Sequence, residues 1–343
     1  MTQTTGMYYP LQHPPAPGSA LEVAPGVHWL RMPLPFQLNH INVWLLEDGD
    51  GWTIVDCGIA IEAVRAQWEE AFAGLLGGRP VKQLIVTHFH PDHLGLAQWL
   101  AERWNTRVMM TQGEFLVAEL VWHQIDGYGI PAMVEQFRRH GLDEARIEAL
   151  LARGNAYALG VPALPVDFTR ILDGDDIQIG GKSWRVMVGY GHSPEHAALY
   201  CDALGVLISG DMVLPGISTN VSVVAANPDA NSLKLFLDSL SRYATLPTQT
   251  LVLPSHGRPF RGLSHRVDQL HIHHYERCDA LLAASSEPQT AWQLVPTLFP
   301  RELDTHQTMF AMGEAIAHLN YLEQARAIAR VEGNGITQYV KLH

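Results

Sequence analysis

Leu84-Ile85-Val86-Thr87-His88-Phe89-His90-Pro91-Asp92-His93 is a short apolar run that stops abruptly in three histidines and an aspartate. Apolar and β-branched residues in an unbroken run read as a buried strand, and the spacing of Leu94, Leu96, Ala97 and Leu100 after it reads as a helix. The polar cluster therefore sits where a strand hands over to a helix. Imidazole and carboxylate are the usual ligands of zinc and similar divalent ions, and a tight turn can aim His88 and His90 at one point and Asp92 and His93 at a neighbouring one. That arrangement serves two adjacent metals. The chain holds 18 histidines, so a His-rich loop can arise by accident, but four ligand-type residues in six positions at a strand end is a far more specific pattern.

Working outward, the same device recurs. Upstream, Val27–Arg31, Ile41–Leu46 and Trp52–Val55 read as strands, the last two joined by Glu47-Asp48-Gly49-Asp50-Gly51, whose glycines permit a hairpin turn that feeds Asp56. A helix with apolar Ile61, Val64, Trp68, Phe72 and Leu75 follows over 60–76, then a second helix over 94–103 and a short strand at Val108-Met109-Met110. Downstream, Ile177–Ile179 and Trp184–Val188 flank Gly180-Gly181-Lys182, and Ala197–Cys201 and Val206–Ser209 flank residues 202–205. These strands deliver His192 and Asp211, and Leu251-Val252-Leu253 ends in Pro254-Ser255-His256. Packing alone does not explain five apolar strands that each stop at a His or Asp.

Thr87-His88-Phe89-His90-Pro91-Asp92-His93 resembles the signature of the metallo-β-lactamase fold superfamily. Gly191-His192-Ser193-Pro194-Glu195-His196 is similar to its Gly-His-Ser-Pro-Gly-His loop, Ser209-Gly210-Asp211 to its bridging-aspartate loop, and Pro254-Ser255-His256-Gly257 to its last ligand loop. Val55-Asp56-Cys57-Gly58 resembles the Asp-Thr-Gly turn whose Asp supports a ligand. The resemblance spans about residues 20 to 262 and implies an α/β fold, the four-layer αββα sandwich. It further implies His88, His90 and His192 on one metal, Asp92, His93 and His256 on the other, and Asp211 between them. Two divalent ions are thus expected: zinc first, with iron or manganese suited to the same donors. In this scheme a metal-bridging hydroxide attacks the substrate, Asp92 shuttles a proton and Asp56 fixes a ligand imidazole. Cys57 and Glu195 depart from the family's Thr and Gly, and Glu195 would add negative charge at the pocket rim.

Composition bounds the partners. The 343 residues are 47% hydrophobic and 17% charged, enough for one large layered domain and a smaller one. Lys and Arg number 23 against 35 Asp and Glu, and a net charge of −12 disfavours nucleic acid and anionic membrane. Three cysteines, Cys57, Cys201 and Cys278, are few and lack metal-type spacing, which reads as reduced thiols in a cytoplasm. No apolar run approaches the ~20 residues of a membrane span.

Residues 1–20 read as a mobile arm, 21–262 as the main domain and 263–343 as a tail of helices, the last over 313–330 with Ile316, Leu319 and Leu322 along one side, ending in a hairpin. The tail looks like the winged-helix tail of the subfamily that includes an animal endoribonuclease, yet it holds six basic against nine acidic residues, the wrong sign for a nucleic-acid reader. A role in assembly, such as a homodimer, or in the pocket wall fits better. His271, His273 and His274 in its first helix read as solvent-facing. Residues 113–160 read as an inserted helical cap broken at Gly127-Tyr128-Gly129-Ile130-Pro131. The proline-rich stretch 33–38 reads as an overhang in which Phe36 and Leu38 hold an apolar group or plug the core. The function expected is hydrolysis of a small-molecule ester, thioester or lactone. The alternatives are an endoribonuclease and an iron-dependent redox member of the same fold.

Overall fold

The computed structural model describes residues 6–342. Seven strands form the first sheet in chain order: β1 (Leu21–Ala24), β2 (Val27–Pro33), β3 (His40–Asp48), β4 (Gly51–Val55), β5 (Val81–Ile85), β6 (Val108–Met110) and β7 (Phe168–Arg170). Pairing is antiparallel from β1 to β4 and parallel from β4 to β7. A second sheet holds β8 (Asp176–Ile179), β9 (Lys182–Gly189), β10 (His196–Cys201), β11 (Val206–Gly210) and β12 (Leu251–Pro254), with only β11 and β12 parallel.

The two sheets face each other across a core of Trp29, Trp44, Val55, Ile85, Trp184, Leu199 and Ile208. Alternation along β5 decides the layers: Ile85 enters this inter-sheet core, while Leu84 and Val86 turn to the opposite face. There they meet Val64, Trp68 and Phe72 of α1 (Glu62–Ala73), and Leu100 of α3 (Ala97–Trp104). The expected helix over 94–103 is broken, because α2 (Pro91–Leu94) stops first. At Gly95 a Cβ would meet the carbonyl oxygens of Pro91, Gly160 and Gly58 at 2.4, 2.6 and 2.7 Å, so the chain there passes too tightly for a side chain.

Four helices fill the insertion: α4 (Gln112–Trp122), α5 (Ile130–Arg139), α6 (Glu144–Ala152) and α7 (Ala156–Gly160). The other face of the second sheet is covered by α8 (Ser232–Tyr243) and the tail, α9 (Leu263–Ala284), α10 (Ala291–Leu298) and α11 (Thr305–Gln324), closed by the hairpin β13 (Ile328–Gly333) and β14 (Ile336–Lys341). One continuous core joins Phe236 of α8, Leu270 of α9 and Ile316 of α11 to Val134 and Phe137 of α5. The insertion is therefore half built into the tail and is not a free lid.

Three expectations need correction. The helix expected over 313–330 ends at Gln324, where Arg326 takes a φ of 58°, and a strand begins at Ile328. His274 is fully buried, not solvent-facing, because α9 packs that face against α8 and α11. Residues 8–12 of the expected arm lie on the fold: Tyr8 pairs with Arg261 through both backbone bonds, and Arg258 stacks on Tyr9 and donates to the Gln12 carbonyl. Residues 1–5 of that arm lie outside the described residues. Among the described residues no helix is long and apolar enough to cross a membrane.

Candidate metal centre

Parallel strands carry their C-terminal ends to the same edge, so β4 with β5, and β11 with β12, deliver Asp56, His88, Asp211 and His256 together. His192 follows β9 into the same place. One donor atom from each of His88, His90, His192 and Asp211 lies within 4.8 Å of the others, and Asp92, His93 and His256 form a second such group. His88 Nε2 is 2.9 Å from His90 Nδ1 and 3.1 Å from His192 Nε2. Asp211 sits between the groups: its Oδ2 is 3.6 Å from His192 Nε2, and its Oδ1 is 3.6 Å from His93 Nε2 and 3.4 Å from His256 Nε2. Asp92 Oδ2 lies 3.4 Å from His256 Nε2 and 3.7 Å from His93 Nε2. Tetrahedral bonds of about 2.1 Å set ligand atoms about 3.4 Å apart, and these pairs spread around that value, from 2.9 to 3.7 Å.

Hydrogen bonds on the far side of four of the five rings, those of His88, His93, His192 and His256, fix which nitrogen carries the proton. His192 Nδ1 donates to the Asn220 carbonyl at 2.8 Å, and His256 Nδ1 to the His40 carbonyl at 2.8 Å. His93 Nδ1 donates to Asp56 Oδ2 at 2.8 Å. Thr87 donates its hydroxyl to Asp56, so its oxygen accepts from His88 Nδ1 at 3.0 Å. Carbonyl and carboxylate oxygens accept only, so in the neutral rings every Nε2 is a bare lone pair turned toward the others. Lone pairs facing one another at such distances repel unless a cation lies among them. His93 Nε2 and Asp211 Oδ1 are buried and have no hydrogen-bond partner, as donors awaiting a metal would be. The residues present therefore fit two divalent ions.

The electrostatics agree. Burial, then the neighbouring rings, holds His88 well below the usual imidazole range. His90 is brought to about 3 by burial and by His192, and His192 is lowered mainly by burial, so all three stay neutral. His93 is instead raised, because Asp56, Asp92 and Asp211 together outweigh its burial. Burial likewise opposes the rise of His256 to about 10, which Asp211 and Asp92 impose. Burial opposes the lowering of Asp92 to about 2 and of Asp211 to well below the usual carboxylate range, which the facing imidazoles outweigh. A metal satisfies the same carboxylates that otherwise draw a proton onto His93 and His256.

Supporting residues hold the donors. Asp56 adopts a φ of 64°, a strained backbone that Asp tolerates better than most, and takes the Thr87 N–H at 2.8 Å as well as the His93 ring. Asn42, fully buried, donates to the Pro254 and Gly257 carbonyls on either side of His256. His196 accepts the Asp211 amide at 3.1 Å, and only glycine fits at 210, where a Cβ would lie 2.3 Å from that ring.

Glu195 is half-buried against α4. Its Oε2 accepts the Gly113 N–H at 2.8 Å at the start of α4. The residue missed by sequence reasoning is its neighbour Glu114, fully buried, which accepts from the Phe89 amide at 3.0 Å, the Ser193 hydroxyl at 2.6 Å and the Glu195 amide at 2.7 Å. One carboxylate thus ties the His88–His90 loop to the His192 loop. A lone Glu inside an apolar helical pattern gave no signal of this. Phe36 and Leu38 are exposed, at 45% and 37%, so they do not plug the core. Phe36 stacks on His306 of α11 at 5.3 Å, and Gln37 accepts from Gln307 at 2.9 Å, so the overhang leans on the tail.

Two sheets between helical layers, with a double donor set at the strand ends, define a metal-dependent hydrolase by class. The family profile described as the metallo-beta-lactamase superfamily matches residues 37–256, one described as a metallo-beta-lactamase-like C-terminal domain matches 278–342, and the chain belongs to that superfamily. The chain is 50% identical to a beta-lactamase domain protein from Burkholderia ambifaria, over 98% of each chain with a TM-score of 0.92. A metallo-beta-lactamase family protein from Thermus thermophilus is 32% identical over 94% of this chain and 100% of that one, with a TM-score of 0.79. The probable metallo-hydrolase YqjP of Bacillus subtilis (strain 168) is 26% identical over 90% of this chain and 95% of its own length.

Proposed function

We propose that the protein hydrolyses an ester, thioester or lactone bond in a small, partly apolar substrate. When bound at the two donor groups, a pair of divalent ions, zinc in the first instance, supplies an acidified water and a Lewis acid for the carbonyl oxygen. The chain's own residues do the rest. Asp56 keeps the His93 proton on Nδ1, the Asn220 and His40 carbonyls do the same for His192 and His256, and Asp92 is the carboxylate placed to take a proton and pass it to the leaving group.

The observation that carries the substrate class is the exposed Phe36 ring stacked on His306, which packs in turn on Phe310 at 4.8 Å. Asn220, which holds His192, reaches the Phe310 carbonyl at 3.5 Å, so this aromatic wall adjoins the donor groups. An acyl chain laid there would shed water from the reacting carbonyl. Phe36→Ala should raise KM for octanoyl over acetyl thioesters by roughly 3- to 10-fold, at about 0.8 kcal/mol per methylene no longer covered, with metal content unchanged. Equal kinetics for both chain lengths in wild type and variant would refute the assignment. No observation favours the endoribonuclease or iron-redox alternative, and the acidic tail opposes the former.

A further inference from the structure

Away from the strand ends, α9 and α11 enclose a second group of ligand-type side chains. One donor atom from each of His273, His274 and Glu314 lies within 4.8 Å of the others. His274 is fully buried and Glu314 nearly so. The Nε2 atoms of His273 and His274 are buried without any hydrogen-bond partner. None of these residues takes part in the proposed hydrolysis, and a buried polar atom without a partner requires a physical explanation.

The proton pattern supplies one. His318 Nδ1 donates to the Glu314 carbonyl at 2.8 Å, so in the neutral ring its Nε2 is an acceptor. That nitrogen lies 3.1 Å from His274 Nδ1, which must therefore be the donor. His274 Nε2 is left as a bare lone pair in a buried space. A ring whose far nitrogen is fixed as donor, with its near nitrogen bare, has the pattern of a metal-ligating histidine. Burial, with the neighbouring rings and Arg277, holds His274 at about 2, and burial with Arg277 and Arg266 holds His273 at about 4, so both rings are ready to ligate at neutral pH.

We infer that His273 Nε2, His274 Nε2 and a Glu314 carboxylate oxygen form a further site for one zinc-like ion, separate from the pair at the strand ends. Arg277 donates to Glu314 Oε1 at 2.8 Å, which leaves Oε2 with only a 3.4 Å contact to Asn220 Nδ2. The guanidinium already neutralises the single carboxylate, so the site disfavours ions such as Mg2+ and Ca2+, which bind through oxygen and charge. It selects an ion bound through imidazole nitrogen. The same guanidinium makes this ion the weakest held of the three. Its place is consequential, because Asn220 contacts Glu314 through its side chain and orients His192 through its carbonyl.

The test takes the full chain, stripped of metal, reloaded with Zn2+ and desalted, with metals counted by mass spectrometry. His273 is only half-buried, so His273→Ala should fold, and it should hold one zinc fewer per chain than wild type while keeping hydrolysis. A weak chelator should remove that one equivalent from wild type first, and Co2+ loading should show one set of visible bands that is missing in the variant. Equal zinc content and equal cobalt spectra in wild type and His273→Ala would overturn the inference. Glu314→Gln gives the same reading if the first variant misfolds. The inference stands apart from the hydrolase assignment: absence of acyl turnover alongside the loss of one zinc in His273→Ala would end that assignment and leave this site in place.

Discussion

Glu114 shows how much one residue can hold. Burial pushes its carboxyl up to about 7, against three donors that pull it down, and those donors belong to both loops that carry the first group of histidines. In Glu114→Gln the amide nitrogen would have to face one of those donors, leaving it unpaired at a cost of about 1–3 kcal/mol. The variant should melt lower than wild type and lose zinc to a chelator roughly 10- to 100-fold more readily. An unchanged melting temperature and unchanged zinc retention would show that the tie does no positioning. Asp211 is the sharper case, since its two oxygens face different donor groups. Asp211→Ala should drop metal at the strand ends below two ions per chain and slow hydrolysis by at least on the order of 100-fold, because no neighbour supplies either bond. Two ions there together with full activity in that variant would end its assignment as the bridge.

Between elements, the contact of α5 with the terminal hairpin is one that pH reaches. His140, just past the end of α5, is 7% exposed and stacks on Tyr339 of β14 at 6.0 Å. Burial, then Arg330 and Arg139, lowers it from 6.5 to about 4. The unfolded chain thus binds a proton that the folded chain refuses. This contribution is complete above about pH 6.5 and is lost as pH falls toward 4, with each pH unit worth about 1.4 kcal/mol. Melting temperature should fall more steeply for wild type than for His140→Phe between about pH 6.5 and 4.5, because phenylalanine keeps the ring and removes the titration. Parallel curves would mean that His140 does not drive the loss.

Taken whole, the molecule carries a net charge of −12, and its tail contributes to that sign. Nucleic acid is attracted mainly through its phosphates, so binding of single-stranded RNA should be weak even at low salt. Tight binding that falls steeply as salt is added would return the endoribonuclease reading to contention. At this scale α5 and α6 of the insertion share one core with the tail and the second sheet, whereas α4 packs in the core of the first sheet.

The sequence by itself determined the strands and the donors at their ends, because each donor is local: an apolar strand stops, and the next residues are His or Asp; the layering of the sheets came with the family resemblance that those motifs carry. His88, Asp211 and His256 could be named without knowing where their strands lie. Tertiary structure alone decided what those donors lean on and what lies behind them. Glu114 reads as an ordinary helical residue until α4 docks on two loops 25 and 79 residues away along the chain. Glu195 gains its partner, the Gly113 amide, through the same docking. His274 reads as a surface histidine until α8, α9 and α11 close over it and His318, 44 residues on, fixes its proton. Strand-end donors are legible because their chemistry is contiguous in sequence; buried partners are not, because burial is a property of the packed layers and no single segment contains it.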